Sequence, residues 1–591
     1  MKKYFFLTVF ALCLSIFVQA QTPVTTPVTV ATTAGNLFND LKTLVGTYNS
    51  SGYERLNPVS DLTVTGTLNA QDFSTLVQFK SSLVKLNLSG VTAIDGGSIP
   101  DNAFYNASQG LYFTLLENVI LPAFPGLSIG ASAFANCPKL ASVTFNEGLT
   151  EIKDYAFQGC TVLAGVTNPL PASLITLGKG VFKNTALTAF VWSSGLTTIP
   201  AETFAQTKLQ NFTVPATVVS IGNSAFYYCL LLETVTFAPR SAQLTVVGTA
   251  FALTPKLQRL DFPANTVISG STDNMFQYTT ALTEVTGLPA GTPIGRGMFQ
   301  NSGIQSFTVP AGVSVISADA FNGASKLTSI DLQDVTTINN AAFKNTTVLT
   351  AVDLSKITTF NDNEQFSGSG VVSVELPAAT LIKQATFKNC KALTSVKLGA
   401  NVSAIMDEAF YGCSAITALE LPKMISTIGN SAFENMTGLR SLTVYRTGNP
   451  INFSSVGDRV FNGIDKSLCK LYVPVNRVQA YKDAYLWGDF GDYDNIIGFD
   501  PDISGLANTE NNAAFTLHGN PVTTEARFSF ESAGTGASIV IFGLSGKTVA
   551  VQNIASGTTE ATVSVSNLPG GVYVARYTDT EGKRAVVKVV K

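Results

Sequence analysis

The apolar positions of this chain follow one phrase that returns from about residue 83 to residue 473. It reads Leu-x-x-φ-x-φ (φ apolar), a turn, an Ile or Val, then Ala-Phe with Asn or Gly two positions on. In Leu327-Thr-Ser-Ile330-Asp-Leu332 the last apolar pair alternates with polar residues, as a strand with one buried face requires. Sixteen phenylalanines, from Phe104, Phe134 and Phe157 to Phe433 and Phe461, mark the copies at spacings of 21 to 30 residues. One such unit cannot bury its apolar face alone. Neighbouring coils must therefore stack, pairing their strands into one long parallel sheet and setting Phe upon Phe inside. Two residues past the Phe, seven copies carry Asn (Asn106, Asn136 and Asn345 among them) and five carry Gly, such as Gly159 and Gly323. Both tolerate positive φ, so a left-handed turn is predicted in every coil.

A period of roughly 20–29 residues with this leucine spacing is the signature of a leucine-rich-repeat solenoid. The expected fold is a parallel β-sheet on one face with irregular turns on the other, closed by capping segments, plus a small C-terminal β-sandwich. Met1-Lys2-Lys3 and the apolar run from Tyr4 to Val18 read as a signal peptide over residues 1–20. Residues 21–82 read as linker and N-terminal cap, with a Thr/Val/Pro-rich stretch to residue 35 expected to be flexible. Leu37, Leu41, Leu44 and Val45 then have helical spacing. The solenoid with its C-terminal cap spans 83–499, where Val478, Tyr481, Ala484 and Tyr485 make a second helical stripe beside Trp487 and Phe490. Residues 500–513 are polar and aperiodic, a linker. From 514 to 591 short alternating strands at roughly ten-residue spacing predict the β-sandwich.

Charge narrows the partners. The chain carries 37 Lys and Arg against 40 Asp and Glu, a net charge of −3, with charged residues only 13% of the total. Such a surface does not attract a polyanion, so nucleic acid is not an expected partner. No run past the first twenty residues is apolar enough for a membrane-spanning helix.

The search for chemistry finds little. The one histidine, His518, lies in the C-terminal segment, so no Ser-His-Asp or Cys-His site can be built in the solenoid. Five cysteines (Cys137, Cys160, Cys229, Cys390 and Cys413) share the position three after the Phe. Cys137 with Cys160, and Cys390 with Cys413, fall on adjacent coils where disulfides could form. The same column holds Thr185, Thr207, Ala324 and Thr346, so it selects small residues, and buried free thiols are the favoured reading. No cofactor or metal is called for.

One column faces outward between the last two apolar positions of each strand. It is threonine-rich at first (Thr144, Thr167, Thr213, Thr236), and then reads Asp331, Asp353, Glu375, Lys397 and Glu420. Three carboxylates about 5 Å apart repel by roughly 0.8 kcal/mol per neighbouring pair in water, which a solvated face tolerates without a ligand. These five residues are nevertheless the candidate ligand-facing positions. A calcium ion shared by Asp331 and Asp353 would lack the six to eight oxygens it needs.

The repeat, quoted as Leu393-Thr-Ser-Val-Lys-Leu398 … Ile405-Met-Asp-Glu-Ala409-Phe410-Tyr-Gly412-Cys413, resembles the BspA-type leucine-rich repeats of bacterial surface proteins. Leu471-Tyr-Val-Pro474 with Ala480-Tyr481-Lys and Trp487 resembles that family's ending. The last 75 or so residues resemble the C-terminal sorting domain of type IX secretion substrates, through Asn520-Pro521, Gly543-Leu-Ser-Gly546, Leu568-Pro-Gly-Gly571-Val572-Tyr573 and the basic end Lys588-Val-Val-Lys591. Together these resemblances imply a protein secreted to, or displayed on, the outer-membrane surface of a Gram-negative bacterium, exported by the type IX machinery through residues 514–591. They also imply a non-enzymatic adhesion role toward extracellular proteins or glycans. The alternative is a glycan-binding or glycan-processing accessory factor with the repeats as substrate platform.

Overall fold

Each repeat contributes two short apolar-in stretches and one phenylalanine, and the chain coils so that all three meet their counterparts in the next repeat. The computed structural model describes residues 24–591 apart from 51, 107, 109, 166–169, 451–456, 500–514, 520–521, 531, 544–547, 579 and 581–583. The expected signal peptide and the expected 500–513 linker lie outside the described residues. The chain forms two compact units, one up to Ile304 and one from Gln305 onward.

In the first unit a parallel sheet runs through strands Val28–Thr32, Asp61–Leu68, Lys85–Ile94, Asn118–Ile120 and Ser142–Thr144. The stretch expected to be flexible therefore opens the sheet: Val30 and Thr32 are buried, and the strand pairs residue for residue with Leu62–Gly66. Helix Leu37–Val45 follows as expected. Leu37 and Leu41 are its buried face, while Leu44 points to solvent at 56% exposure, so the stripe is narrower than its spacing suggested. Later strands pair only locally, as Asn211–Val214 does with Thr234–Phe237 and Arg259–Asp261 with Glu284–Thr286. One unbroken sheet was expected. No strand forms around Val191, because Phe190 and Trp192 pack against Phe204 there.

A second file of short parallel sheets lies where only turns were foreseen. Its strands are two to four residues long, such as Leu127–Ile129 beside Leu149–Ile152 and Ser220–Ile221 beside Leu244–Val247. They form around the Ile or Val that precedes each Ala-Phe, and that residue is buried, as Ile129, Ile152 and Ile221 show.

The phenylalanines stack in a continuous file within the unit, from Phe104–Phe134 (ring centroids 4.7 Å apart, 10° between planes) to Phe276–Phe299 (5.3 Å, 19°). What holds them is backbone. The residues two before and two after each Phe mostly have positive φ, as Ser132 (52°) and Asn136 (49°) do around Phe134. That conformation aims successive amides at the next coil: Ser132, Phe134 and Asn136 donate to Asp154, Ala156 and Gln158 at 2.9, 2.8 and 2.6 Å. A left-handed residue with a Cβ costs roughly 1–2 kcal/mol, which the ladder of inter-coil hydrogen bonds offsets. Asn106 is the exception to the predicted turn. It sits in strand Tyr105–Asn106, paired antiparallel with Leu111–Tyr112.

The second unit repeats this construction from Phe321–Phe343 (5.3 Å, 3°) to Phe433–Phe461 (6.1 Å, 20°). Its outward strands again pair in short groups, and the coil around Asp353 keeps a single bridge, Ser329 to Ala351. Strands Ala418–Leu421, Ser441–Val444, Lys470–Pro474 and Ile496–Phe499 form the last sheet of the coils. Helix Val478–Lys482 buries Tyr481, and Trp487 and Phe490 close over Phe461 at 4.9 and 5.4 Å. Tyr485, counted in the helical stripe, is instead 48% exposed.

Among the described residues the C-terminal segment is a sandwich of seven antiparallel strands. One sheet holds Phe515–His518, Glu525–Phe530 and Glu560–Ser564; the other holds Thr548–Asn553, Ser538–Gly543, Val572–Thr578 and Arg584–Val590. Phe528 and Val563 from the first meet Ile539, Ile541 and Ala575 from the second in one core. The terminal Lys591 folds back, its ammonium donating to the carbonyls of Ser566 (2.8 Å) and Leu568 (2.6 Å).

Candidate functional site: the outward strand positions

Asp331, Asp353, Glu375, Lys397 and Glu420 are all exposed. The alternation of each strand puts Ile330, Val374 and Leu419 inward and these neighbours outward. Only one pair among the five is brought together: Glu375 and Lys397 stand opposite each other in adjacent strands, with Nζ 3.6 Å from Oε2. The two aspartates turn to their own chains. Asp331 accepts from the amide of Gln333 at 3.1 Å and from its side-chain nitrogen. Asp353 accepts from the Ser355 amide at 2.8 Å, and hydrogen bonds from the Ser355 side chain and backbone hold its carboxyl below the usual aspartate range. Glu420 faces Thr443. Among the described residues no cluster of three or more His, Cys, Asp or Glu has the arrangement to hold a metal ion.

A denser network occupies the first unit and escaped the sequence reading. Arg259 bonds Asp261 through Nε (2.6 Å) and Glu284 through Nη1 (2.7 Å), and Thr286 donates to Asp261 at 2.5 Å. The Arg259 guanidinium holds the Asp261 carboxyl below its ordinary range. Its only sequence signal was Arg-x-Asp opposite Glu-x-Thr, one coil on, which is readable only once register is known. The threonine ladder beside it is real: Thr213 and Thr236 hydroxyls lie 3.0 Å apart. Thr167 falls outside the described residues.

Next to this network a cavity of about 570 Å³ is lined by Thr236, Phe237, Pro239, Arg240, Asp261 and Asn265. Arg240 spans back one coil, donating to the carbonyls of Val214, Pro215 and Val218 at 2.7 to 3.0 Å. Its guanidinium sits 5.7 Å from the centre of the Phe237 ring.

The nucleophile candidates are locked away. All six cysteines of the described chain are free and buried. Cys160, Cys229, Cys390 and Cys413 donate from Sγ to the carbonyl of the Phe one coil back, at 2.9 to 3.1 Å. Threonines in the same column make the equivalent bond within their own coil, as Thr346 does to Phe343 at 2.8 Å. Burial pushes the thiols up, to about 12 for Cys160 and about 11 for Cys229 and Cys390, so they are poor nucleophiles. His518 meets Ser529 across the sandwich strands at 2.9 Å.

Coils stacked by parallel strands, with an aromatic file inside and ordered polar side chains outside, define a solenoid repeat protein. The chain belongs to the family of the BspA-type leucine-rich repeat region, which matches residues 127–249, 244–371 and 362–485. Residues 516–591 match the secretion system C-terminal sorting domain. The chain is thus a secreted or cell-surface leucine-rich-repeat protein of a Gram-negative bacterium. Among solved structures, a leucine-rich repeat protein from Bacteroides ovatus is 20% identical, covering 71% of this chain and 92% of that one, with a TM-score of 0.42. A leucine-rich cell-surface protein from Faecalibacterium prausnitzii is 18% identical over 71% and 92% (TM-score 0.29). The pneumococcal vaccine antigen PcpA is 19% identical over 69% and 93% (TM-score 0.27). No curated protein matches the chain.

Proposed function

We propose that this is a non-enzymatic binding or adhesion protein that recognises extracellular proteins or glycans through the outward strand positions of its coils. Export runs through the type IX machinery, which reads residues 514–591. The observation that carries this reading is the Arg259–Asp261–Glu284–Thr286 network, two exposed and two half-buried polar side chains held in register by paired strands on a secreted protein. Rigid, prearranged polar groups lose little freedom on binding, which is what a recognition surface needs. In the second unit Glu375 and Lys397 offer a smaller version of the same surface, with Asp331, Asp353 and Glu420 as flanking charges. The alternative, a glycan-binding or glycan-processing accessory factor, draws support from the cavity beside Asp261, where an aromatic ring adjoins a carboxylate, an amide and a guanidinium.

The test is a panel of extracellular-matrix proteins and polysaccharides presented to the immobilised mature chain and to its Arg259→Ala and Lys397→Ala variants. Saturable binding that weakens in at least one variant supports the strand-face reading. Binding to every panel member equally, or to none, refutes it.

A further inference from the structure

Two residues past the stacked phenylalanine, the backbone is left-handed, and the chain mostly places Asn or Gly there, as at Gly159, Asn184 and Asn301. Two coils of the first unit place tyrosine instead, Tyr228 and Tyr278, with Leu253 in the coil between. Their φ angles are 59°, 58° and 58°. A side chain with a Cβ is disfavoured in that conformation, and a bulky one gains nothing from it that Asn would not supply. Core packing does not explain the choice, because Tyr228 is 42% and Tyr278 44% exposed. Strained residues kept at exposed positions are a mark of functional sites.

The spacing is set by the amide ladder. Tyr228 donates to Ala252 at 3.0 Å, Leu253 to Gln277 at 2.8 Å and Tyr278 to Gln300 at 2.9 Å, so each step is one hydrogen-bonded coil. Two steps separate the tyrosine backbones by about 10 Å. Uncharged groups adjoin each: the Tyr227 ring lies 6.2 Å from that of Tyr228, and Gln277, next to Tyr278 in the chain, donates to the Gln300 side chain at 2.5 Å.

We propose that this turn face binds an extended, neutral β-1,4-linked glycan, with sugars stacked on Tyr228 and Tyr278 and the Gln277 and Gln300 amides meeting hydroxyl or N-acetyl groups beside Tyr278. The negative face of an aromatic ring attracts the C–H-rich face of a pyranose. A β-1,4 linkage turns each sugar over relative to the last, so the same face returns at every second sugar, and rings two coils apart match that alternation. A protein partner would favour a broad contiguous apolar centre, whereas here two rings flank a single half-buried Leu253 and the Gln277 and Gln300 amides adjoin Tyr278. The inference rests on the binding reading above but moves the sugar contact from the strand face to the turn face.

The mature chain is titrated by calorimetry with the β-1,4-linked hexamers of N-acetylglucosamine and of glucose, and with the corresponding disaccharides. Tyr228→Asn and Tyr278→Asn are tested alongside; each removes a ring and installs a residue suited to the left-handed backbone, so folding is preserved. At least one hexamer is expected to bind, its disaccharide much more weakly, and each variant is expected to lose about tenfold or more in affinity with Tm unchanged or raised. No hexamer binding, affinity unchanged in both variants, or a Tm that falls with either ring overturns the proposal. If sugars fail while the protein panel still shows binding that Arg259→Ala or Lys397→Ala weakens, only this inference is lost; if both fail, the binding reading falls with it.

Discussion

The ring of Phe343 lies 5.1 Å from that of Phe366 and within 9° of parallel to it, and both are fully buried. Phe343 also stacks on Phe321 at 5.3 Å, so each ring is wall to two neighbours. Near-parallel rings at this separation fall within the offset stacking that aromatic pairs favour. The inter-coil amide bonds hold it, since Phe321 donates to Ala342 and Phe343 to Gln365 at 2.8 and 2.7 Å.

Removing one ring should therefore hurt more than one coil. Phe343→Ala is expected to destabilise the second unit by about 3–5 kcal/mol, with loosening in the coils of Phe321 and Phe366. Urea denaturation followed by amide exchange reports both. A midpoint equal to wild type would remove Phe343 from the core.

Asp353 gives a pH signature. Its folded pKa is lowered by the Ser355 hydrogen bonds, below the unfolded value of about 3.9. The bonds thus contribute stability that is fully present above that unfolded value and is lost as the pH falls through the folded one. Asp353→Asn should flatten this part of the acid limb by lowering stability at neutral pH toward the level the wild type reaches in acid. Calorimetry of wild type with calcium should show no micromolar site; such a site, abolished in Asp353→Asn, would reverse the assignment of this carboxylate to its own turn.

The thiols supply a third check. With the six cysteines of the described residues free and buried, a thiol reagent at pH 8 should label none in the native mature chain and six in guanidinium. Two or four labelled sites after unfolding without reductant would mean that Cys137–Cys160 or Cys390–Cys413 had paired.

Export is tested by truncation. The match at residues 516–591 to the sorting domain, together with the separate core of the sandwich, predicts that a chain lacking 514–591 folds but stays in the periplasm. Protease shaving of intact cells should spare it while digesting the full-length protein. Surface levels equal to wild type would contradict the assignment.

The leucine and phenylalanine columns were legible because they are local and periodic: burial on one face leaves the same residue types at the same spacing in every copy. The left-handed turn after the Phe was legible for a similar reason, since Asn and Gly advertise it. Its twin before the Phe was not. Ser132, Tyr155, Glu202, Asp319 and Glu408 all take positive φ there, and they share no residue type, because inter-coil amides enforce the conformation whatever the side chain.

The candidate site divides in the same way. Alternation along each strand placed Asp331, Asp353, Glu375, Lys397 and Glu420 outward, which depends on neighbours two residues away. Whether Asp353 meets a neighbouring coil or its own Ser355, whether Arg259 finds Glu284, and whether Val28–Thr32 joins the sheet depend on partners more than twenty residues away or on turn geometry within a coil. The sequence by itself determined that the chain must coil, what lines its interior and which positions face water, because burial repeats with a fixed period. Only the tertiary structure decided which exposed groups pair and where the second file of sheets runs, because those outcomes follow from register and hydrogen bonds between coils, which leave no residue preference behind.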